Sequence, residues 1–283
     1  MIEINGLTKD YPDFHLNLSL SMSKGRVTGI VGRNGAGKST TIKAILGLIQ
    51  PDAGSVTVFG KEACSLSGKE KERIGVALSD SGFSRYITAE AVNATLKRLY
   101  RQYDEEMFLR LAREQGLPMK KLIKEFSTGM QAKLRVIAAI THKADLLILD
   151  EPTAGLDVIA RNEILDLLRS YLAEDENRSI LITSHISSDL EGLCDDIYMI
   201  HNGQVILHED TDVLLGQYAV LKVNDRTHEK LCRDFILSER RCSFGYMCLT
   251  REKQFYAENY PDIIMENGSI DELIVMLASG KEV

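Results

Sequence analysis

Gly32-Arg33-Asn34-Gly35-Ala36-Gly37-Lys38-Ser39, followed by Thr40, has the spacing GxxxxGK[ST]. The chemistry that this spacing allows is the capture of a polyphosphate. Glycines let the backbone turn so that successive N–H groups point inward, and a following helix adds the partial positive charge of its N-terminus. The Lys38 ammonium then reaches the β and γ phosphates of a nucleotide, and the Ser39 hydroxyl can sit on a magnesium ion. A second group follows at 146–151, where Leu146-Leu147-Ile148-Leu149 precedes Asp150-Glu151. Four apolar residues ending in two carboxylates put both acids at the carboxyl end of a buried strand, beside the phosphate loop of a parallel sheet. There Asp150 would hold magnesium, mostly through water, and Glu151 would polarise the water that attacks the γ-phosphate.

The elements that position these groups follow from periodicity. Residues 2–22 alternate apolar and polar residues in two runs, which predicts a half-buried antiparallel pair of strands. Arg26-Val27-Thr28-Gly29-Ile30-Val31 is a β-branched run that enters the glycine cluster, and 41–48 shows helical spacing, so the loop joins a strand to a helix. The stretch 88–116 has apolar faces at helical spacing and reads as a helical insertion. From 128 onward helices alternate with strands, the pattern of a mostly parallel sheet covered on its faces. Asn202-Gly203 between two apolar runs signals a hairpin that closes this sheet. Beyond Gly216 the composition shifts, with four of the ten tyrosines and three of the five cysteines, and Ser269-Ile270-Asp271-Glu272 announces one more capped helix. The expected class is α/β: one unit over 1–215, with a helical subdomain at about 85–142, and a small α+β extension over 216–283.

Composition narrows the function. With 283 residues, 44% hydrophobic and 27% charged, the chain is long enough for a sizeable core, and its mean hydropathy of -0.10 fits a globular protein rather than a disordered one. A net charge of -7 disfavours non-specific binding to nucleic acid or to an anionic membrane, so no nucleic-acid partner is expected. No window approaches the roughly 18 apolar residues of a membrane-spanning helix. Met1-Ile2-Glu3-Ile4-Asn5 lacks a secretion leader, which places the chain in the cytosol, and any service to a membrane would run through a partner. The scattered cysteines Cys64, Cys194, Cys232, Cys242 and Cys248 show no CxxC pairing and read as reduced thiols.

Further residues in order along the chain carry a family resemblance. Phe126-Ser127-Thr128-Gly129-Met130 stands before a helix, Asp150-Glu151-Pro152-Thr153-Ala154-Gly155-Leu156-Asp157 ends a strand, and His185 follows the next strand. With the phosphate loop, this order resembles the nucleotide-binding domains of ABC ATPases over about residues 1–215. The resemblance implies a P-loop NTPase fold of ABC type: a RecA-like core with an antiparallel β subdomain and a helical insertion. It also implies two ATPase subunits packed head to tail, with ATP and Mg2+ between the phosphate loop of one and the signature segment of the other. Ser127 and Gly129 match the signature at its serine and second glycine. Asp157 ends the segment that links the two sites, His185 matches the switch histidine that senses the γ-phosphate, and Tyr11 matches the aromatic that stacks on adenine.

Three departures from the family pattern stand out. Thr128 and Met130 replace the first glycine and the last residue of the signature. Ser79 falls where the family has a glutamine that touches magnesium; it is shorter, so contact through water is expected, with communication to the partner through neighbours such as Asp80 and Arg85. The tail after Gly216 matches no motif. The leading reading is the ATP-hydrolysing subunit of an ABC transporter, acting on separate transmembrane permease chains from the cytoplasmic face and resembling bacterial exporters of peptides or antibiotics. The alternative is a soluble, non-transport ABC ATPase that serves as an assembly factor or regulator. A P-loop kinase or GTPase fits poorly, because His142-Lys143-Ala144-Asp145 lacks the asparagine of the guanine-reading motif and precedes the carboxylate strand.

Overall fold

The computed structural model describes residues 1–79 and 82–279, so Asp80 lies outside the described residues. Strands β1 (Ile2–Tyr11) and β2 (Phe14–Met22) form the antiparallel pair that alternation predicts, with Ile2 opposite Met22 and Tyr11 opposite Phe14. On β2, Leu16, Leu18, Leu20 and Met22 are buried, and the residues between them face solvent. Strand β3 (Val27–Val31) does not alternate, because every one of its residues is buried. Strands β4 (Ala53–Val58) and β5 (Lys61–Glu62) complete a sheet of order β2-β1-β4-β5.

The central sheet adds β6 (Ile74–Ala77), β7 (Leu146–Asp150), β8 (Ser179–Ser184), β9 (Asp196–His201) and β10 (Gln204–Asp210) to β3, in the order β10-β9-β3-β8-β7-β6. All neighbours are parallel except β9 and β10, which are joined through Asn202 at φ 46° and Gly203 at φ 77°. Positive φ at both positions is what a tight two-residue hairpin requires, and a Cβ on Gly203 would lie 2.0 Å from the His15 carbonyl oxygen. Strand β7 shows why its sequence is unbroken apolar: Leu146 and Ile148 pack towards the antiparallel sheet and the helix Lys38–Ile45. Leu147 and Leu149 point the other way, into a core shared with the helices Ala89–Leu99, Glu105–Glu114, Thr128–Ile140 and Val158–Ala173. Three of these four helices start within the expected helical insertion and carry side-chain caps from Thr88, Asp104 and Ser127.

The tail folds as an antiparallel sheet of β11 (Ala219–Val223), β12 (Ile236–Cys242), β13 (Gly245–Thr250) and β14 (Ile264–Asn267), in the order β12-β13-β11-β14. Helix Thr211–Gln217 leads into it, straddling residue 216 because Leu214 is buried in the main core. The final helix, Ile270–Ser279, starts where Ser269 and Glu272 pair as a capping box. Its Ile270, Leu273, Ile274 and Met276 join the same hydrophobic cluster as Ile182 and Leu190, so the tail and the central sheet share one interior. Leu273→Ala is therefore expected to destabilise the whole chain by about 2–5 kcal/mol. Urea unfolding should show one transition at a lower midpoint; loss of tail structure with the main transition unmoved would contradict this.

Candidate active site

The phosphate loop begins where β3 ends. Gly35 and Gly37 have φ of 82° and 115°, conformations that glycine adopts without the cost a side chain would bring. Gly37 directly precedes the helix Lys38–Ile45, and a Cβ there would lie 2.6 Å from the Leu16 side chain and 3.1 Å from the Phe14 ring. Lys38 is 6% exposed, and its Nζ donates to the Gly32 carbonyl at 2.7 Å and to the Arg33 carbonyl at 3.5 Å. The same ammonium lies 3.1 Å from Glu151 Oε1, an ion pair that lacks the alignment of a hydrogen bond.

At the end of β7, the Asp150 carboxylate is 3% exposed and receives three hydroxyls. Ser39 Oγ reaches both oxygens at 3.2 and 3.0 Å, Thr183 Oγ1 donates to Oδ1 at 2.7 Å, and Ser79 Oγ donates to Oδ2 at 2.8 Å. Each hydroxyl stands on a different element, so one acid gathers the phosphate-loop helix, the segment after β6 and strand β8. Glu151 follows at φ 50°, a strained value for a residue with a side chain, and the backbone is held there by its N–H, which lies 3.0 Å from Thr183 Oγ1 and 3.2 Å from the Thr183 carbonyl oxygen. Glu151 Oε2 in turn accepts from the His185 backbone N–H at 3.1 Å and lies 2.5 Å from His185 Nδ1.

The structure thus brings Lys38, Ser39, Ser79, Asp150, Glu151 and His185 together. Asn34, Gly35, Ala36, Gly37 and Thr40 line a cleft of about 600 Å³ with Lys38, Ser39, Ser79 and Glu151, and Gly32 opens onto a neighbouring cleft. The aromatic lining the first cleft is Phe14; Tyr11 stands beside it, with ring centroids 6.4 Å apart. Ser127, Gly129 and Asp157 form a second group. Ser127 Oγ accepts from Met130 N, Asp157 Oδ1 accepts from Ala160 N, and a Cβ on Gly129 would meet the Ala160 side chain at 3.3 Å. Among the described residues, this second group shares no hydrogen bond with the first. Thr183 and Phe14 are not singled out by any motif; Thr183 is one of three hydroxyl residues of β8, with Ser179 and Ser184, and nothing local marks it among them.

Elsewhere, His228, Glu239 and Cys248 bring one nitrogen, one oxygen and one sulfur within 4.8 Å of one another. His228 Nε2 is 2.7 Å from Glu239 Oε2, Arg233 Nη2 lies 3.4 Å from Nδ1, and burial pushes the Cys248 thiol up to about 12. This is an internally satisfied His–Glu pair over a protonated thiol.

Comparison with known proteins decides what kind of protein builds this arrangement. Residues 16–154 match the family model described as ABC transporter. The bacitracin transport ATP-binding protein BcrA of Bacillus licheniformis is 37% identical over 213 residues, 73% of this chain and 68% of that one. The chain belongs to the ABC transporter ATP-binding proteins. The lantibiotic transport ATP-binding protein SrtF of Streptococcus pyogenes is 33% identical over 75% of this chain and 92% of its own length. A solved ATP-binding subunit of an ABC transporter superposes with a TM-score of 0.68 at 26% identity, covering 76% of this chain and 91% of that one. As an ABC transporter ATPase the chain binds and hydrolyses ATP. No helix among the described residues is long and apolar enough to cross a membrane.

Thr183 is the test of this geometry, because its one hydroxyl serves both acids. Thr183→Val keeps the shape, leaves Asp150 Oδ1 with Ser39 alone and the Glu151 N–H with only the Thr183 carbonyl; a loss of about 1–3 kcal/mol in denaturant titration is expected, with slower ATP turnover. Thr183→Ser should recover most of both.

Proposed function

We propose that this ABC transporter ATPase drives the export of a peptide, antibiotic or other amphipathic compound from the cytoplasmic face of the membrane, using Glu151 as the base that activates water. In this reading residues 1–215 form the nucleotide-binding unit, with the helical subdomain at about 85–142 facing the permease, and residues 216–283 form the extension. Two similar proteins are named for the transport of bacitracin and of a lantibiotic, which supports the substrate class.

The observation that carries the mechanism is the placement of Glu151 between Lys38 and His185. One of its carboxylate oxygens is held by His185, and the other faces Lys38. ATP enters the cleft with its phosphates over Gly35, Ala36 and Gly37, whose N–H groups lie at the start of the helix, and its adenine towards Phe14 and Tyr11. Lys38 then moves its donors from the Gly32 carbonyl and Glu151 to the β and γ phosphates, which leaves Glu151 Oε1 able to accept a proton from water in line with the γ-phosphorus. His185 holds Glu151 in place and senses the γ-phosphate beside it. Across the subunit pair, Ser127 and Gly129 of one copy complete the phosphate site of the other, and Asp157 ends the segment that links the two sites and caps the helix Val158–Ala173.

The oxygen donors around Asp150 fit Mg2+, a hard cation, and Ser39 and Asp150 are the residues that would hold it. When bound, Mg2+ would supply positive charge against the negative charge that develops on the phosphates during hydrolysis. Ser79, shorter than the family's glutamine, would reach the ion through water, while its hydroxyl donates to Asp150 Oδ2.

Glu151→Gln keeps the shape and removes the base: ATP affinity should stay within a few-fold, while turnover falls by about 10²-fold or more and ATP-bound dimers accumulate on gel filtration. Wild-type turnover in that variant would reassign the base. Lys38→Ala should lose ATP binding itself, read by titration calorimetry; unchanged affinity would remove the loop from the mechanism.

A further inference from the structure

Between His185 and the tail lies a five-residue helix, Ser187–Glu191, that touches three parts of the molecule. Towards the nucleotide site, it begins two residues after His185, whose backbone N–H and ring nitrogen both meet Glu151 Oε2. Towards the carboxylate loop, Asp189 is 2% exposed, accepts from Thr153 Oγ1 at 2.6 Å and pairs with Arg161 at 3.6 Å. Towards the tail, Ser187 Oγ donates to Asp271 Oδ2 at 2.8 Å, and Glu191 Oε1 accepts from the Ile270 N–H at 3.4 Å. Both ends of the short helix are thus tied to the first turn of the helix Ile270–Ser279.

Asp271 is not used in capping its own helix, a task that Ser269 and Glu272 perform. Its carboxylate instead faces the neighbouring element. Ser187 is 3% exposed, so a hydroxyl deprived of Asp271 has little water to turn to. Leu190, Ile270, Leu273 and Ile274 share one core, which fixes the two helices against each other. The tail helix also reaches the nucleotide side. Asp271, Ile274 and Val275 form one wall of a cleft of about 790 Å³ whose other wall includes Arg33, Asn34 and His185.

Resting on the roles of Glu151 and His185 given above, we propose that Asp271 is a positioning residue for ATP hydrolysis: through Ser187 it sets the turn that presents His185 to Glu151. The C-terminal extension is then part of the hydrolytic apparatus without touching nucleotide, and whatever moves the tail sheet alters turnover.

The full chain is assayed for ATP turnover well below its thermal midpoint, with the midpoint measured for every variant. Asp271→Ala and Ser187→Ala are each expected to lower kcat about tenfold with KM for ATP within about twofold. The double variant should be no slower than the singles, since all three lack the same hydrogen bond. Asp271→Asn, whose amide oxygen still accepts from Ser187, should recover most of the rate. Unchanged kcat in Asp271→Ala, whether or not its midpoint falls, overturns the proposal, as does failure of Asp271→Asn to recover. His185→Ala separates the two readings. Slow turnover there beside full turnover in Asp271→Ala removes the tail from the mechanism and leaves the site intact; full turnover in His185→Ala removes the assigned role of His185 and the proposal with it.

Discussion

A carboxylate exposed to only 3% of its surface has to have its charge answered by the protein, and Asp150 is answered by hydroxyls from three separate elements. Ser39 belongs to the helix that ends the phosphate loop, Ser79 to the segment after β6, and Thr183 to β8. Charge-assisted hydrogen bonds are stronger and shorter than neutral ones, so the three elements are drawn to one point and held in register. Thr183 then passes the constraint on, since the oxygen that donates to Asp150 also accepts from the N–H of Glu151 at its strained φ. The position of the second acid is in this sense a consequence of how the first is neutralised.

The sheet makes that convergence possible. Parallel strands send their carboxyl ends to one edge, so the loops after β3, β6, β7 and β8 all open on the same side. Both faces of the sheet have to be covered for its unbroken apolar strands to be stable. The antiparallel sheet and the phosphate-loop helix cover one face, and the helical layer covers the other. Glycine enters where backbones meet: a Cβ on Gly32 would lie 2.3 Å from the Ile200 carbonyl oxygen, so the loop can leave β3 alongside β9 only without a side chain there.

The chain Lys38, Glu151, His185 is where this rigid frame becomes responsive. Lys38 is shared between a backbone carbonyl and a carboxylate rather than locked to either, and His185, with its side chain 42% exposed, lies at the rim. In the proposed mechanism a polyanion competes directly with Glu151 for Lys38, which would couple arrival of the nucleotide to release of a carboxylate oxygen. The tail enters the same chain from behind, through the short helix after His185.

The local sequence was sufficient for those features that depend on neighbours along the chain. The phosphate loop, the Asp150-Glu151 pair, the Asn202-Gly203 hairpin and the cap at Ser269 are each written within a few residues, because turn geometry, capping and strand burial are short-range. The helix Thr211–Gln217 was not legible, since its apolar residues are few and its burial comes from the main core. Nor was the role of Thr183, 33 residues from Asp150. The approach of Asp271 to Ser187 spans 84 residues and depends on how the tail sheet packs. Only tertiary structure decides such contacts, because a hydrogen bond between distant residues is specified by the sum of the packing that brings them together and by no pattern at either end.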